Sequence, residues 1–171
     1  MARFLDASEN GLTRELYSLC FPDPEFVSEL YGPQGEAWRC RMAVAEEDGR
    51  IVSMAQVVRR YALYEEGQLP VWYIMGVCTH PDMRHRGLMD QVMGLVLRTL
   101  RDEGEPWCFL IPVDRDIYRH LGFVHDMKLE DERSLEALEA DDGLDTLSIC
   151  FLCQSEEEFR APRSFSREPA L

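Results

Sequence analysis

Residues 73–104, YIMGVCTHPDMRHRGLMDQVMGLVLRTLRDEG, decide how the rest of the chain is read. Residues 71–79 are aromatic, branched and apolar at nearly every position, the pattern of a strand covered on both faces. Gly76 interrupts that run and marks a bulge or a close approach to the backbone. After His80-Pro81, the turn Arg84-His85-Arg86-Gly87 opens a helix whose Met89, Val92, Met93, Val96 and Leu100 recur at helical spacing. Gly104 stops it, and Arg98 and Arg101 lie in its last turns, where cations suit the helix dipole. A strand that delivers two arginines and a glycine to a helix N-terminus builds an anion site, because free N–H groups and the positive dipole end converge there. The plainer reading is that arginines in a turn are solvated.

Outward from this stretch, residues 8–19 read as a helix with Leu12, Leu16 and Leu19 on its buried face, broken at Cys20-Phe21-Pro22. A second short helix is expected over residues 24–31, burying Phe26, Val27 and Leu30. Residues 38–45 and 50–59 read as an antiparallel hairpin turned by Glu46-Glu47-Asp48-Gly49, since Asp-Gly is a strong hairpin signal. Trp107-Cys108-Phe109-Leu110-Ile111 is a short apolar strand, expected parallel to residues 71–79 because a crossover helix joins the two. A last helix is expected over residues 112–121, with Asp114 as its cap and Gly122 as its stop. Phe123 then starts a strand, residues 126–142 are acidic and partly helical, and residues 144–154 form a final strand. The organisation expected is one α/β (α+β) domain over residues 1–155 with a flexible tail over 156–171.

The chain carries a formal net charge of −14 in 171 residues, a poor match for nucleic acid, whose phosphates it would repel. Cationic small molecules, amines included, suit it better, although the acids also serve solubility. No apolar run approaches a membrane span, and no basic-then-apolar leader opens the chain, so a soluble cytoplasmic protein is expected. Of the six cysteines, Cys150 and Cys153 alone have ligand spacing, and a zinc site wants a second pair, so no metal is expected. All six read as reduced and mostly core residues.

Arg84-x-x-Gly87-x-Met89 after Val77-Cys78-Thr79 resembles the acetyl-CoA pyrophosphate loop of GNAT-type N-acetyltransferases, with Met89 where a small residue is usual. The wider wording is similar to the enhanced-intracellular-survival branch of that family: Cys20-Phe21, Gly49-Arg50-Ile51-Val52-Ser53, and Ile117-Tyr118-Arg119-His120-Leu121-Gly122-Phe123. The resemblance covers about residues 1–125. It implies the GNAT fold, a mixed central sheet whose parallel fourth and fifth strands splay beyond a bulge, with flanking helices. It implies acetyl-CoA as cosubstrate, its pantetheine arm against the backbone of Val77, Cys78 and Thr79, and its diphosphate at Arg84, His85, Arg86, Gly87, Leu88 and Met89. The acceptor implied is a primary amine of a small molecule or peptide, and a homo-oligomer is possible.

Direct acetyl transfer needs a deprotonated amine, a stabilised oxyanion and a protonated leaving thiolate. The resemblance assigns Tyr118 as general acid, facing the thioester sulfur. The backbone N–H of Cys78 is the oxyanion candidate, and a Cys78–His80 relay ranks below direct attack because no partner orients the histidine. For the base, His80 and Glu46 or Glu47 through water stay open, since the survival-type relatives use the carboxylate of a longer chain. A non-catalytic acetyl-CoA-binding or scaffold module is the alternative function.

Overall fold

The computed structural model describes residues 1–114, 116–127, 147–154 and 164–165. Two compact units divide the chain: Met1–Val58 with Met75–Thr99, and Arg59–Ile74 with the described part of Leu100–Leu171. Strands β3 (Arg50–Tyr64) and β4 (Gly67–Thr79) and helix α3 (Leu88–Asp102) each run from one unit into the other. The segments expected at residues 128–142 and 144–146 lie outside the described residues.

In the first unit, β1 (Ala2–Phe4), β2 (Arg41–Glu47), β3 and β4 are successive neighbours in the sheet. β2 and β3 pair antiparallel from Arg41↔Val57 to Glu47↔Arg50, with a bulge at Ala45/Glu46. The connection is a two-residue turn, Asp48 at φ 50° and Gly49 at φ 74°, the left-handed pair that a tight hairpin requires. Helices α1 (Arg14–Cys20) and α2 (Pro24–Leu30) close a core of Leu16, Tyr17, Val27, Leu30 and Tyr31 with Met42, Val44, Met54 and Val58. The Asp23 carboxylate caps α2, accepting from the Glu25 and Phe26 N–H groups.

The N-terminal helix differs from the expected one. Ala7–Thr13 winds as a 3₁₀ helix, and three residues per turn shift the phase of everything after it. Asn10 and Thr13 are buried in place of Leu12 and Leu19, which are 61% and 51% exposed. Hydrogen bonds meet most of that polar burial: Asn10 Nδ2 donates to the carbonyls of Ala37 (2.8 Å) and Cys40 (3.1 Å), and Thr13 Oγ1 donates to that of Asn10 (2.7 Å). In α2, Phe26 is exposed, and Tyr31 fills the core instead. A 3₁₀ turn at Glu36–Trp38 delays β2 to Arg41.

In the second unit, β4 pairs parallel with β5 (Trp107–Leu110) through Trp72↔Cys108 and Tyr73↔Phe109, where that ladder ends. β5 then pairs antiparallel with β7 (Leu147–Phe151), and β7 with β6 (Phe123–Met127). Every residue of β5 is buried, as its continuous apolar run requires, and the Tyr73 and Phe109 rings stack 4.9 Å apart. The Arg59 guanidinium lies 4.6 Å over the Trp72 ring and pairs with Glu105 at 2.7 Å. β3 and β4 run well past the expected limits and meet at a turn of Glu65 and Glu66. The last expected helix is a single turn, α4 (Asp116–Arg119). Within the segment read as a tail, β8 (Ser164–Phe165) pairs with Ala62 and Leu63 of β3.

α3 buries Leu88, Val92, Met93, Val96, Leu97 and Leu100, an apolar stripe at helical period. It ends with Gly104 at φ 79°, whose N–H donates to Arg101 O, while the Glu105 N–H donates to Leu100 O. That bond pair is the Schellman closure, and it needs a residue tolerant of the left-handed region. Among the described residues no helix is long and apolar enough to cross a membrane.

Arg3 ties β1 to the hairpin, pairing with Glu9 at 2.9 Å and Glu46 at 3.0 Å. The Arg3 guanidinium, and then the Asp6 N–H, pull the Glu9 carboxyl from 4.5 down to about 2. A depressed carboxyl stabilises the fold above its unfolded value, and that contribution fades as pH falls from about 4.5 toward about 2. Thermal unfolding followed against pH should show Glu9→Gln losing less stability than wild type across this window. Parallel curves would contradict the assignment.

Candidate functional site

The end of β4 is distorted before it turns. Gly76 has φ 56°, and a Cβ there would stand 2.9 Å from the Tyr17 ring and 3.2 Å from the Gln56 amide, so conformation and space both demand glycine. Beyond it the antiparallel pattern is regular: His80 N–H donates to Val52 O at 2.8 Å, and Ser53 Oγ donates to Cys78 O at 3.1 Å. In such a ladder the N–H and C=O of one residue share a side, and sides alternate along the strand. The Cys78 amide therefore faces β3, and the amides of Val77 and Thr79 face away from it. This differs from the sequence expectation of an open Cys78 N–H, because alternation could not be phased without the Val52 and Ser53 contacts.

Thr79 O, on that outward side, receives the Cys20 thiol at 3.6 Å and Arg84 Nε at 3.3 Å. A 3₁₀ turn, Pro81–Met83, leads to the loop. His85 at φ 61° and Gly87 at φ 70° are both left-handed, two such residues within three positions, immediately ahead of α3. For His85 this conformation costs about 1 kcal/mol, and such outliers gather where a backbone is shaped for a ligand. A Cβ on Gly87 would meet nothing within 4 Å, so the corner is open as well as permissive. The first helical bond of α3 runs from Gln91 N–H to Gly87 O, leaving the N–H groups of Leu88 and Met89 ahead of the helical ladder. Main-chain donors, left-handed turns and room outside them fit a diphosphate.

The arginines of this loop are engaged locally. Arg86 pairs with Glu47 at 3.0 Å and contacts Met83 Sδ, while Arg84 holds Thr79 O. His85, Arg86 and Gly87 are exposed, Leu88 is buried, and Met89 is half-buried.

His80 lies 23% exposed, with Nδ1 accepting from Asp82 N–H at 3.3 Å. It lines a pocket of about 210 Å³ with Leu12, Glu15, Leu16, Leu19, Glu46, Gly49, Arg50 and Ile51. The leucines that the 3₁₀ start turned away from the core are thus its apolar wall. Of the carboxylates considered as bases, Glu46 reaches this pocket while holding Arg3, and Glu47 holds Arg86 instead. In the second unit, Tyr118 stands on α4, half-buried, its ring edge-on to Phe123 at 5.9 Å. Asp114 Oδ1 accepts the Asp116 N–H ahead of that turn.

The family model for the acetyltransferase (GNAT) domain matches residues 2–125. The chain belongs to the GNAT acetyltransferase family. Among solved structures it is similar to a GNAT family N-acetyltransferase from Escherichia coli in complex with CoA, with a TM-score of 0.66 at 14% identity over 89% of this chain and 81% of that one. A GNAT acetyltransferase from Brucella melitensis in complex with acetyl-CoA gives 0.58 at 22% identity, over 72% and 82% of the two chains. Eis1 from Mycobacterium abscessus gives 0.58 at 18% identity over 72% of this chain and 31% of its own. This chain spans about a third of the length of the first three such structures. No curated protein matches.

Within this GNAT domain, sequence reasoning missed three residues around β4: Cys20, Ser53 and Gln56. Ser53 and Gln56 are wholly buried polar residues on β3. Polar residues inside an otherwise apolar strand were the available signal, since burial of such groups requires partners. Gly76→Ala should lower stability by about 2 kcal/mol or more, with little change in the denaturant slope. Urea unfolding within about 0.5 kcal/mol of wild type would contradict the crowding at the bulge.

Proposed function

We propose that this chain moves an acetyl group from acetyl-CoA to a primary amine of a small molecule or peptide by direct attack, and that it stands nearest the enhanced-intracellular-survival branch of its family. The observation that carries this reading is the corner where β4 passes to α3, with left-handed His85 and Gly87 and open main-chain donors. CoA and acetyl-CoA in the Escherichia coli and Brucella melitensis relatives support it. The cosubstrate supplies an acetyl thioester. Val77, Cys78 and Thr79 run beside its pantetheine arm. Arg84, His85, Arg86, Gly87, Leu88 and Met89 hold the diphosphate.

The outward amides of β4 serve the developing oxyanion, and strand alternation favours Val77 and Thr79 over Cys78 for that contact. His80 takes the proton of the incoming amine, directly or through water, at a pocket where it is already half-buried. Glu15 lines the same pocket and forms no ion pair or side-chain hydrogen bond among the described residues, so its carboxylate is open to a cationic acceptor. Tyr118 donates to the leaving thiolate.

Replacing Arg84 with Glu should weaken CoA binding by roughly 10- to 100-fold in calorimetry, the range one charge-assisted contact covers, with little change in stability. Unchanged affinity would remove the phosphate assignment. Tyr118→Phe should lower kcat by about 100-fold with KM for acetyl-CoA nearly unchanged. Thiol release measured over polyamines, aminoglycosides and peptides reads both kcat and acceptor choice. Binding of acetyl-CoA without turnover on any acceptor, indifferent to Tyr118→Phe, would instead mark a non-catalytic module.

A further inference from the structure

The pocket beside His80 keeps charges of both signs that the fold does not pair. Leu12, Glu15, Leu16 and Leu19 recur at helical spacing along its wall, so one carboxylate stands in a leucine face. Arg50 borders the same pocket from the first position of β3, next to half-buried Ile51. Glu15 and Arg50 are both exposed, and neither forms an ion pair or side-chain hydrogen bond among the described residues.

The hairpin turn explains why Arg50 is left over. Its cross-strand partner is Glu47, but the Glu47 carboxylate goes to Arg86 at 3.0 Å. Glu46 also borders the pocket, and its carboxylate goes to Arg3 at 3.0 Å. Both glutamates of the turn are thus engaged elsewhere. What remains at the pocket is an unpaired carboxylate, an unpaired guanidinium and an apolar wall.

A ligand with an ammonium, a carboxylate and an aliphatic body answers all three features. A purely cationic acceptor, such as a polyamine, would meet Glu15 but would add like charge beside Arg50, which disfavours it. Size points the same way. The cavity of about 210 Å³ lies below the roughly 300–1,000 Å³ of pockets that bury drug-sized ligands, so it suits an amino acid rather than an aminoglycoside.

We infer that the acceptor is a free α-amino acid with an aliphatic side chain, its carboxylate held by Arg50, its ammonium drawn to Glu15, and its side chain against Leu12, Leu16 and Leu19. This narrows the acetyl-transfer reading above and rests on it. Arginine suits the carboxylate because its planar guanidinium can donate two parallel N–H···O bonds. In the reaction the α-nitrogen attacks the thioester carbonyl, the N–C bond forms and the C–S bond breaks. Of the two protons that the ammonium sheds, one ends on the CoA sulfur and the other leaves through His80. The products are the N-acetyl amino acid and CoA.

The test is calorimetric titration of the full chain, alone and with excess CoA, with L-leucine and with 3-methylbutylamine, which is leucine without its carboxylate. Leucine should bind about 10-fold more tightly or better, the range of one charge-assisted contact. Arg50→Gln should bring that ratio close to one, and Arg50→Lys should restore part of it. 4-Methylpentanoate, which lacks the amine, should also bind at least about 10-fold more weakly than leucine. Equal affinity for leucine and 3-methylbutylamine, a ratio that survives Arg50→Gln, or no leucine binding in either state would each overturn the proposal. The comparison of ligands on the wild-type chain needs no variant to fold. Thiol release from acetyl-CoA separates this proposal from the reading beneath it. Turnover of 3-methylbutylamine with the same kcat/KM as leucine overturns the amino-acid class and leaves acetyl transfer standing. Carboxylate-dependent leucine binding without thiol release supports the zwitterion site and overturns acetyl transfer.

Discussion

An antiparallel ladder that is regular from the Gly76 distortion to His80, and then passes through one 3₁₀ turn to left-handed backbone, controls the geometry of this protein's first unit. The bond from His80 N–H to Val52 O holds β4 against β3 up to the turn. His85 and Gly87 then reverse the chain's hand, so that α3 begins with the amides of Leu88 and Met89 at an open corner. Were the ladder to fray, the phase of the amides from Val77 to Thr79 would be lost. Were His85 or Gly87 to relax into the right-handed region, the first amides of α3 would point elsewhere. Strand order, bulge and corner are thus one constraint.

Charge is handled locally around this constraint. The chain is strongly acidic, yet the arginines near the corner are each given a partner: Arg3 to Glu9 and Glu46, Arg86 to Glu47, Arg84 to a backbone carbonyl. Exposed pairs such as Arg86–Glu47 contribute little to stability, so their value lies in positioning. A diphosphate approaching the corner competes with Glu47 for Arg86, and the main-chain donors face no comparable rival among the described residues. Backbone geometry therefore carries the site, and the arginines modulate it.

Much of this was legible in the sequence, for identifiable reasons. A continuous apolar run, a glycine turn and an amphipathic helix announce β4, the loop and α3 through periodicity alone, and Asp48-Gly49 announces its hairpin through backbone sterics. What escaped depended on contacts distant in sequence. The 3₁₀ start of the N-terminal helix is set by Asn10 reaching the carbonyls of Ala37 and Cys40, 27 and 30 residues on, and no local pattern could show that Leu12 and Leu19 would line a pocket. The side to which the Cys78 amide points depends on its pairing with β3, and the contact of Cys20 with Thr79 O on the packing of α1. The carboxylates weighed as bases could not be ranked until Glu47 was seen on Arg86 and Glu46 on Arg3.

The most direct measurement of the central claim is a crystal structure of the full chain grown with excess CoA. The account predicts diphosphate oxygens within hydrogen-bonding distance of main-chain N–H groups between His85 and Met89, with His85 and Gly87 still left-handed. A well-ordered crystal in which that corner holds no diphosphate, or holds a side chain of the same molecule in its place, would contradict it.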